Sequence, residues 1–343
     1  MTRRTSSLLL PNEYKFAPTV PVDYSESQAV QRAARNRRDA PEETNKYIIP
    51  YGIFLIVTII LSLFKLFSGP QTFTMYSAHP SEMCMIFVPV IAYWLYSGTF
   101  LLLENLRIPS LERYRIVTRK RTSNPPLAKV VIQVLSQHTL QALLAVVLAV
   151  ILRPPAGQPQ RNIEPIPLLI QKLVIGALIL DTYQYWIHRL MHVNRFLYRT
   201  IHSVHHQLTS PYAVAALYNH PVEGLVMDTL GSGIASIVTD MHPWTSMIFF
   251  TLATLKTCDD HVGYALPYDP FQKWFANNAV YHDIHHYGKG RMYNFSQPFF
   301  INWDKWMGTD YYDAIKSGRL TTKDHADATP HDVGLYRGVD KDE

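Results

Sequence analysis

The sequence predicts an all-α integral membrane protein with about four transmembrane helices and a helical cap on the cytosolic side. Three observations lead to this fold class: long apolar stretches, a scarcity of charge, and histidines gathered in short clusters. Of the 343 residues, 17% are charged and 48% are hydrophobic. In soluble domains about 25% of residues are charged. The composition therefore favours a chain that buries much of its surface in a bilayer.

Four segments are long and apolar enough to cross a bilayer as helices, for which about 20 residues are needed. They cover residues 47–67, 83–103, 130–152 and 168–187. A long polar stretch precedes the first segment, so we do not expect a cleaved signal peptide. The predicted organisation is a polar extension (1–46), transmembrane helices (47–187), a histidine-rich region (188–311) and a polar tail (312–343).

The basic residues predict how these helices are oriented. Lysine and arginine are frequent before the first segment and in residues 104–129, and they are scarce in the two other connections. By the positive-inside rule, the amino terminus and the 104–129 loop are cytosolic. Four crossings then return the chain to the cytosol at His188. No basic patch interleaved with aromatic residues is present, so we expect no nucleic acid as a partner.

Two later apolar stretches, 224–239 and 244–257, are short for a span, and the first contains Asp228, Gly231 and Gly233. One extra crossing would also separate the last histidine cluster from the others. We therefore expect a re-entrant hairpin or interfacial helices here.

Eight of the fifteen histidines fall into three clusters with the spacings HxxxH, HxxHH and HxxHH. They are His188 and His192; His202, His205 and His206; and His282, His285 and His286. Residues three and four apart share one helix face, so each cluster should direct its imidazoles towards one point. Two metal ions that keep an open position need roughly eight to ten protein ligands. With His261 as a ninth ligand, the clusters predict a site for two metal ions.

Two alternatives to a catalytic metal site exist. A single HxxxH pair would be explained more simply as a chance pair of surface or core histidines that binds no metal. Three clusters in one chain argue against this explanation. A histidine-rich metal store would be a low-complexity tract, whereas these histidines lie in aromatic, apolar sequence. The remaining isolated histidines are interpreted as ordinary residues: His79, His138, His242, His325 and His331.

A carboxylate and a lysine lie inside the fourth apolar segment. Asp181 precedes His188 by seven residues and therefore shares its helix face. We expect Asp181 to accept a hydrogen bond from a ligand imidazole or from a nearby polar group. Lys172 is interpreted only as a residue that extends its amine towards the membrane surface.

Two further polar groups are candidates for supporting roles. Asp259 and Asp260 directly precede His261, and they could support this ligand, contact a substrate headgroup or cap a helix end. Asn219 and His220 precede a proline. His220 could be a tenth ligand, a substrate contact or the polar start of a helix.

The three histidine boxes resemble those of the membrane-bound fatty acid hydroxylase and sterol desaturase superfamily. More narrowly, segments 181–192, 202–206, 221–224, 259–267 and 277–286 look like the corresponding segments of fungal sphinganine C4-hydroxylases. The resemblance extends from about residue 83 to residue 308. It does not reach either polar end of the chain.

The resemblance implies a multi-pass enzyme of the endoplasmic-reticulum membrane with two iron ions and O2 as co-substrate. Electrons would come from NADH or NADPH through cytochrome b5 and its reductase. The enzyme would hydroxylate C4 of a sphingoid base or dihydroceramide, and its metal ligands would be the eight clustered histidines and His261. Some superfamily members carry a histidine where this chain has Thr257. One iron could therefore have water, an open position, Asn219 or His220 instead.

The implied chemistry needs a cofactor, because an unactivated methylene has no acidic proton for a base to remove. A sterol C5-desaturase or C4-methyl oxidase of the same superfamily is an alternative, and it would need a pocket for rigid rings. A membrane metal-binding or transport protein is a second alternative. It predicts acids inside several spans, whereas only Asp181 and Lys172 are charged well within the four segments.

Overall fold

The computed structural model describes residues 80–116, 124–151 and 162–320. The predicted first span, the amino-terminal extension and most of the predicted tail lie outside these residues. The described residues form helices, turns and one isolated bridge between Arg115 and Tyr264. This architecture confirms the prediction of a mainly helical protein.

Twelve α-helices occur in the described residues. In chain order they are α1 (Pro80–Leu106), α2 (Pro109–Glu112), α3 (Leu127–Ile151), α4 (Ile166–Val193), α5 (Arg195–Thr200), α6 (Pro221–Gly224), α7 (Gly231–Val238), α8 (Pro243–Asp260), α9 (Pro270–Trp274), α10 (Ala279–His286), α11 (Asn302–Met307) and α12 (Tyr311–Lys316). Short 3₁₀-helices cover His202–Gln207, Ala213–Ala215 and Gly288–Met292, and a π-helix covers Leu225–Leu230.

Three described helices are long and apolar enough to cross a membrane: α1, α3 and α4. They match the predicted spans at 83–103, 130–152 and 168–187. Each has exposed large apolar side chains, such as Leu95, Ile132 and Ile170, which are 53–68% exposed. Such faces are costly in water and suit contact with hydrocarbon.

Helix α4 continues beyond the predicted end of its span to Val193. The first histidine box therefore lies on the last turns of the membrane helix itself, and not on a separate cap helix. His188 and His192 are both buried. The boundary predicted at residue 188 falls inside a continuous element.

The two shorter apolar stretches pack against the long helices. α6, the π-helix and α7 form one helical run from Pro221 to Val238, and α8 follows after a short turn. α7 packs on α4, and α8 packs along α1. Neither run is among the helices of the described chain that are long and apolar enough to span a membrane.

The last described segment encloses the third histidine box. Every residue of α10 is buried, and the Asn278 side chain caps the helix by accepting from the backbone N–H groups of Val280 and Tyr281. Helix α12 crosses the boundary predicted at residue 312, and Leu320 beyond it is 6% exposed. The packed structure therefore extends into the region predicted as a polar tail.

Candidate metal centre

Nine buried histidines converge in two neighbouring groups. The first contains His188, His192, His202, His206 and His285, and the second contains His205, His261, His282 and His286. Within each group, one ring nitrogen from every histidine lies within 4.8 Å of the others. These nine residues are the set that the sequence predicts as metal ligands.

The second and third histidine boxes each divide between the two groups. His202 and His206 belong to the first group, while His205, which lies between them in sequence, belongs to the second. The second box forms a 3₁₀-helix, in which successive residues turn by a third of a circle, so adjacent rings point in different directions. The expectation that each cluster points at one site is therefore wrong for these two boxes. Because each of these two boxes contributes histidines to both groups, the two groups are connected through the same short segments.

Six of the nine rings are held through Nδ1. Five Nδ1 atoms donate to backbone carbonyls, namely His188 to Phe295 (2.8 Å), His205 to Tyr218 (3.1 Å), His261 to Thr257 (2.8 Å), His285 to Tyr293 (2.7 Å) and His286 to Leu208 (2.8 Å). The sixth, His202 Nδ1, donates to Glu223 Oε1 at 2.7 Å. A carbonyl oxygen only accepts, so Nδ1 carries the proton in these rings. A neutral ring then has a bare lone pair on Nε2.

The Nε2 atoms face one another at short distances. His188 Nε2 lies 3.1 Å from His202 Nε2, although the Nδ1 atoms of both rings are already donors. Neither Nε2 atom then has a proton to share with the other. Two opposed lone pairs repel unless a positive charge lies between them. In addition, Nε2 of His285 is buried without a hydrogen-bond partner. This pattern fits a metal ion as the common partner of the Nε2 atoms.

Burial keeps the rings neutral, as metal ligation requires. It lowers the pKa of His202 and His261 to about 3 and that of His205 to about 4. The same cause, reinforced by neighbouring histidines, lowers the pKa of His282 and His286 well below the usual value. At neutral pH these nitrogens are therefore available as lone-pair donors.

Asp181 supports the site through the backbone and not through a ligand imidazole. Its carboxylate accepts from the backbone N–H groups of Phe299 (3.2 Å) and Phe300 (2.5 Å). The same segment provides the Phe295 carbonyl that holds His188. Asp181 thus fixes the loop that orients a candidate ligand.

Asp259 and Asp260 are buried and have protein partners. Asp260 forms a buried ion pair with Lys256, and Asp259 accepts from Tyr96 Oη (3.0 Å) and Gln272 Nε2 (3.1 Å). These contacts connect α8 with α1 and α9. They favour the supporting role over contact with a substrate headgroup.

The remaining candidates also have definite positions. His220 Nδ1 accepts from the backbone N–H of Val222 and so caps α6, and His220 belongs to neither histidine group. This geometry favours the interpretation of His220 as a helix start. Asn219 is buried beside Glu223 and Gly224, with Oδ1 lacking a hydrogen-bond partner. Among the histidines interpreted as ordinary, His138 accepts from Trp94 Nε1 and His242 caps α8.

A cavity of about 160 Å³ lies about one helical turn from candidate ligands, along α4 and α8, and none of the nine histidines lines it. Its lining includes Gln184, one helical turn before His188, and Thr257, whose carbonyl holds His261. Thr257 is the position where some superfamily members carry a further histidine. Asp228 of the π-helix also lines the cavity. Glu223 and Asp228 are not among the site residues that the sequence predicts, although an acid inside an apolar stretch is a signal for Asp228.

Comparisons with known proteins agree with this site. The sequence model described as "Fatty acid hydroxylase" matches residues 173–309, which include all nine histidines. Sphinganine C4-monooxygenase 2 of Arabidopsis thaliana is 46% identical over 231 residues, covering 66% of this chain and 87% of the relative. A sphingolipid C4-hydroxylase of Schizosaccharomyces pombe is 42% identical over 254 residues, covering 64% and 85%.

A relative with a different name is equally similar. A very-long-chain aldehyde decarbonylase of Oryza sativa subsp. indica is 46% identical over 228 residues, which cover 65% of this chain and 86% of the relative. No solved structure matches the chain. The matched domain and the extent of these relatives show that the chain belongs to the fatty acid hydroxylase family.

Proposed function

We propose that this protein is a membrane monooxygenase that hydroxylates C4 of a sphinganine-type long-chain base with two iron ions and O2. The convergence of nine neutral, buried histidine rings in two groups carries this proposal. Imidazole-only sites suit iron, zinc and copper, so the donor set fits iron without selecting it. The choice of substrate rests on the relatives named as sphinganine or sphingolipid C4-hydroxylases at 42–46% identity.

The nine histidines would hold the two irons, one in each group. When bound, iron supplies the activation of O2 and the oxidising power that an unactivated C–H bond requires. In the net reaction one oxygen atom enters the C4–H bond and the other leaves as water. The two electrons for that water would come from NADH or NADPH through cytochrome b5 and its reductase, and its two protons from solvent.

The chain's own groups would orient the ligands and keep water away. The carbonyls of Phe295, Tyr293 and Leu208 fix ring orientation, because a ring held at Nδ1 presents Nε2 in one direction. His285 and His286 are fully buried, so bulk water does not reach them. A dry, rigid site favours one outcome over side reactions of the same oxidant.

The arrangement of α4 suits a lipid substrate. Its apolar faces lie along the predicted span, and His188 and His192 lie at its carboxyl end. A lipid could therefore keep its chain among the helices while a carbon near its headgroup meets the histidine centre. By the positive-inside rule this end of α4 would face the cytosol, and we propose the endoplasmic-reticulum membrane as the location.

Two other activities are the alternatives. The rice relative suggests conversion of a long-chain aldehyde, and sterol C5-desaturation or C4-methyl oxidation is the alternative within the superfamily. A sterol would require room for four fused rings, whereas the cavity next to the histidines measures about 160 Å³. Ligand pockets for drug-sized molecules are usually ~300–1,000 Å³. The cavity is too small to enclose either lipid completely, so the choice of a sphingoid base rests on the relatives.

Lipid mass spectrometry tests the proposal in cells that lack their own long-chain-base hydroxylase. We expect a 4-hydroxylated base with the unmodified chain and none with His285→Ala. His242→Asn is the matched control, because His242 caps α8 and asparagine is a good N-cap residue. Sterols and long-chain hydrocarbons are measured in the same extracts. Abundant, membrane-inserted protein that makes hydrocarbons or altered sterols and no hydroxylated base would contradict the proposal.

A further inference from the structure

Asp228 is a half-buried acid that lines the cavity, and no lysine or arginine of the described residues pairs with it. It lies on the π-helix Leu225–Leu230, and its Oδ2 atom is buried without a hydrogen-bond partner. Burial of the carboxylate and the nearby Glu223 together raise the pKa of Asp228 to about 7, although a hydrogen bond from Asn219 opposes the rise. No lysine or arginine in the described segments contributes to this balance.

Three buried acids of the described chain, Asp181, Asp260 and Asp304, have more partners than Asp228. Asp260 pairs with Lys256, and Asp181 accepts two backbone N–H groups. Asp304 accepts from Tyr281 Oη and Thr309 Oγ1 and from two backbone N–H groups. A buried carboxylate without such partners is costly, because it has lost its hydration. Asp228 is thus a position where a ligand cation would be stabilised.

Further hydrogen-bond acceptors lie near Asp228, outside the residues that line the cavity. Gln137 Oε1, Asn219 Oδ1 and Glu223 Oε2 are also buried oxygens without hydrogen-bond partners in the described structure. They cluster because Gly224 has no side chain; a Cβ atom there would lie 2.1 Å from Gln137 Nε2 and 3.0 Å from Asn219 Oδ1. Asp228 lines the cavity, and a second acid, Glu223, lies near it, so the surroundings of Asp228 suit a ligand that carries a positive charge.

The cavity also fits the position of such a group relative to the histidines. Asp228, Gln184 and Thr257 line the same space, and the last two adjoin candidate ligands. The cavity is smaller than a long-chain lipid, so it would enclose a headgroup and the first few carbons. In a long-chain base the amine at C2 and the hydroxyls at C1 and C3 are the close neighbours of C4. A headgroup in the cavity therefore brings C4 near the histidine centre.

We propose that Asp228 binds the primary ammonium group of a single-chain lipid in this cavity. The inference rests on the proposed function and deepens it, because it selects the free long-chain base over its N-acylated form. An amide nitrogen is uncharged and has one N–H, so it would leave Asp228 without a counter-charge. Asp228 is then a specificity-determining residue for the hydroxylation.

Ligand binding tests this proposal without any reaction. The purified protein in non-ionic detergent is heated with dodecylamine or with dodecanol, which share a chain and differ in charge. We expect dodecylamine to raise the thermal midpoint more than dodecanol does, and Asp228→Asn to remove that difference. Asp313→Asn, which changes a 40%-exposed carboxylate, should keep it. Equal effects of the two lipids on the unmodified protein, or an unchanged difference in Asp228→Asn, would overturn the proposal.

Kinetics separate a role in binding from a role in folding. Asp228→Asn should raise KM for sphinganine about 10-fold or more while kcat changes much less, since a tenfold change corresponds to ~1.4 kcal/mol of binding. The preference for sphinganine over N-acetylsphinganine should fall by the same factor. Equal losses on both lipids would overturn the proposal. Asp228→Ser gives the same test if Asp228→Asn does not fold. If the unmodified protein hydroxylates neither lipid, the proposed function fails, and the dodecylamine comparison still decides the role of Asp228.

Discussion

The histidine rings are oriented mainly by backbone carbonyls. His188, His285 and His286 each donate Nδ1–H to a backbone carbonyl outside their own helix, at 2.7–2.8 Å. Each bond adds a modest ~0.5–1.5 kcal/mol to stability. Its larger effect is to fix the tautomer, so that Nε2 carries the lone pair. The orientation of a ligand thus depends on the loops opposite it.

The Glu223 side chain holds a ligand ring by accepting a hydrogen bond from His202 Nδ1. Glu223→Gln removes the negative charge opposite His202 Nδ1 and keeps the size of the side chain. Changes at such supporting positions typically cost 10–100-fold in metal affinity or activity. We therefore expect metal affinity, measured by competition with a chelator, to fall by roughly that factor.

Glu112→Gln is the control for this change. Glu112 pairs with Arg115 and Tyr264 and not with a histidine, so metal affinity should stay within about twofold. An unchanged metal affinity in Glu223→Gln, or an equal loss in both variants, would show that the carboxylate does not support the ligand.

At this scale the sequence predicts the ligands better than their supports. The nine histidines are recognisable because their side chains are unusual and their spacing is regular. The carbonyls of Phe295, Tyr293 and Leu208 cannot be recognised in the sequence, because every residue has a backbone carbonyl and only the fold decides where it points. Asp181 was expected to contact a ligand ring or a nearby polar group, and its actual partners are backbone N–H groups.

At the scale of elements, short segments of unusual helix type determine where the rings point. The 3₁₀-helix His202–Gln207 divides the second box between the two groups, and the π-helix Leu225–Leu230 carries Asp228. Spacing alone could not predict either, since HxxHH is compatible with both α- and 3₁₀-geometry. π-Helices are rare and often occur at functional sites.

Gly290 controls how the chain leaves the third box. A Cβ atom there would lie 1.9 Å from the carbonyl oxygen of Ile284, which lies between two candidate ligands. We expect Gly290→Ala to shift α10, to lower stability by ~1–3 kcal/mol, as overpacking does, and to reduce metal content. Thermal unfolding and metal analysis of the purified variant measure both effects.

Gly233→Ala is the matched control for Gly290→Ala. A Cβ atom at Gly233 meets nothing within 4 Å, and the residue lies inside α7. Alanine should therefore stabilise the protein by ~0.5–1 kcal/mol without loss of metal. If Gly290→Ala behaved like Gly233→Ala, the close approach to Ile284 would be unimportant.

Glu164 links the start of α4 to the start of α8. Its carboxylate accepts from Lys172 Nζ (2.9 Å), the backbone N–H of His242 (2.7 Å) and Thr245 Oγ1 (2.5 Å). Lys172 also donates to the Asp240 carbonyl at 2.5 Å. The sequence predicts for it only an amine that extends towards the membrane surface. Burial alone would raise the pKa of Glu164, but these donors outweigh it and lower the pKa to about 2.

This link predicts a pH-dependent stability. The pKa of Glu164 is 4.5 in the reference state and about 2 in the folded protein, so the stabilisation is complete above about pH 4.5 and is lost as pH falls towards 2. The linkage corresponds to about 3 kcal/mol. We expect Glu164→Gln to lower the thermal midpoint at pH 7 by several degrees, and the gap to the unmodified protein to shrink between pH 4.5 and pH 3. A gap that stayed constant over this range would contradict the assignment.

At the scale of the whole molecule, three apolar helices support a polar centre at the end of one of them. The predicted spans at 83–103, 130–152 and 168–187 correspond to α1, α3 and α4, because long apolar runs identify membrane helices reliably. The short runs at 224–239 and 244–257 could not be assigned as clearly from the sequence. Their arrangement depends on packing against α4 and α1, which hydropathy does not encode.

The predicted first span and its orientation stay predictions, since residues 47–67 lie outside the described structure. The orientation of α4 also decides on which side of the membrane the histidine centre lies. If α4 ends at the cytosolic surface, the centre is on the same side as a cytosolic electron donor.

Metal analysis of the purified full chain shows whether the two histidine groups hold two metal ions. The chain is produced with iron in the medium, and iron and zinc are quantified per mole of protein. We predict about two irons per chain, and about one after replacement of His282 and His286 of the second group by alanine. One metal or none in the unmodified, hydroxylating protein would contradict the account.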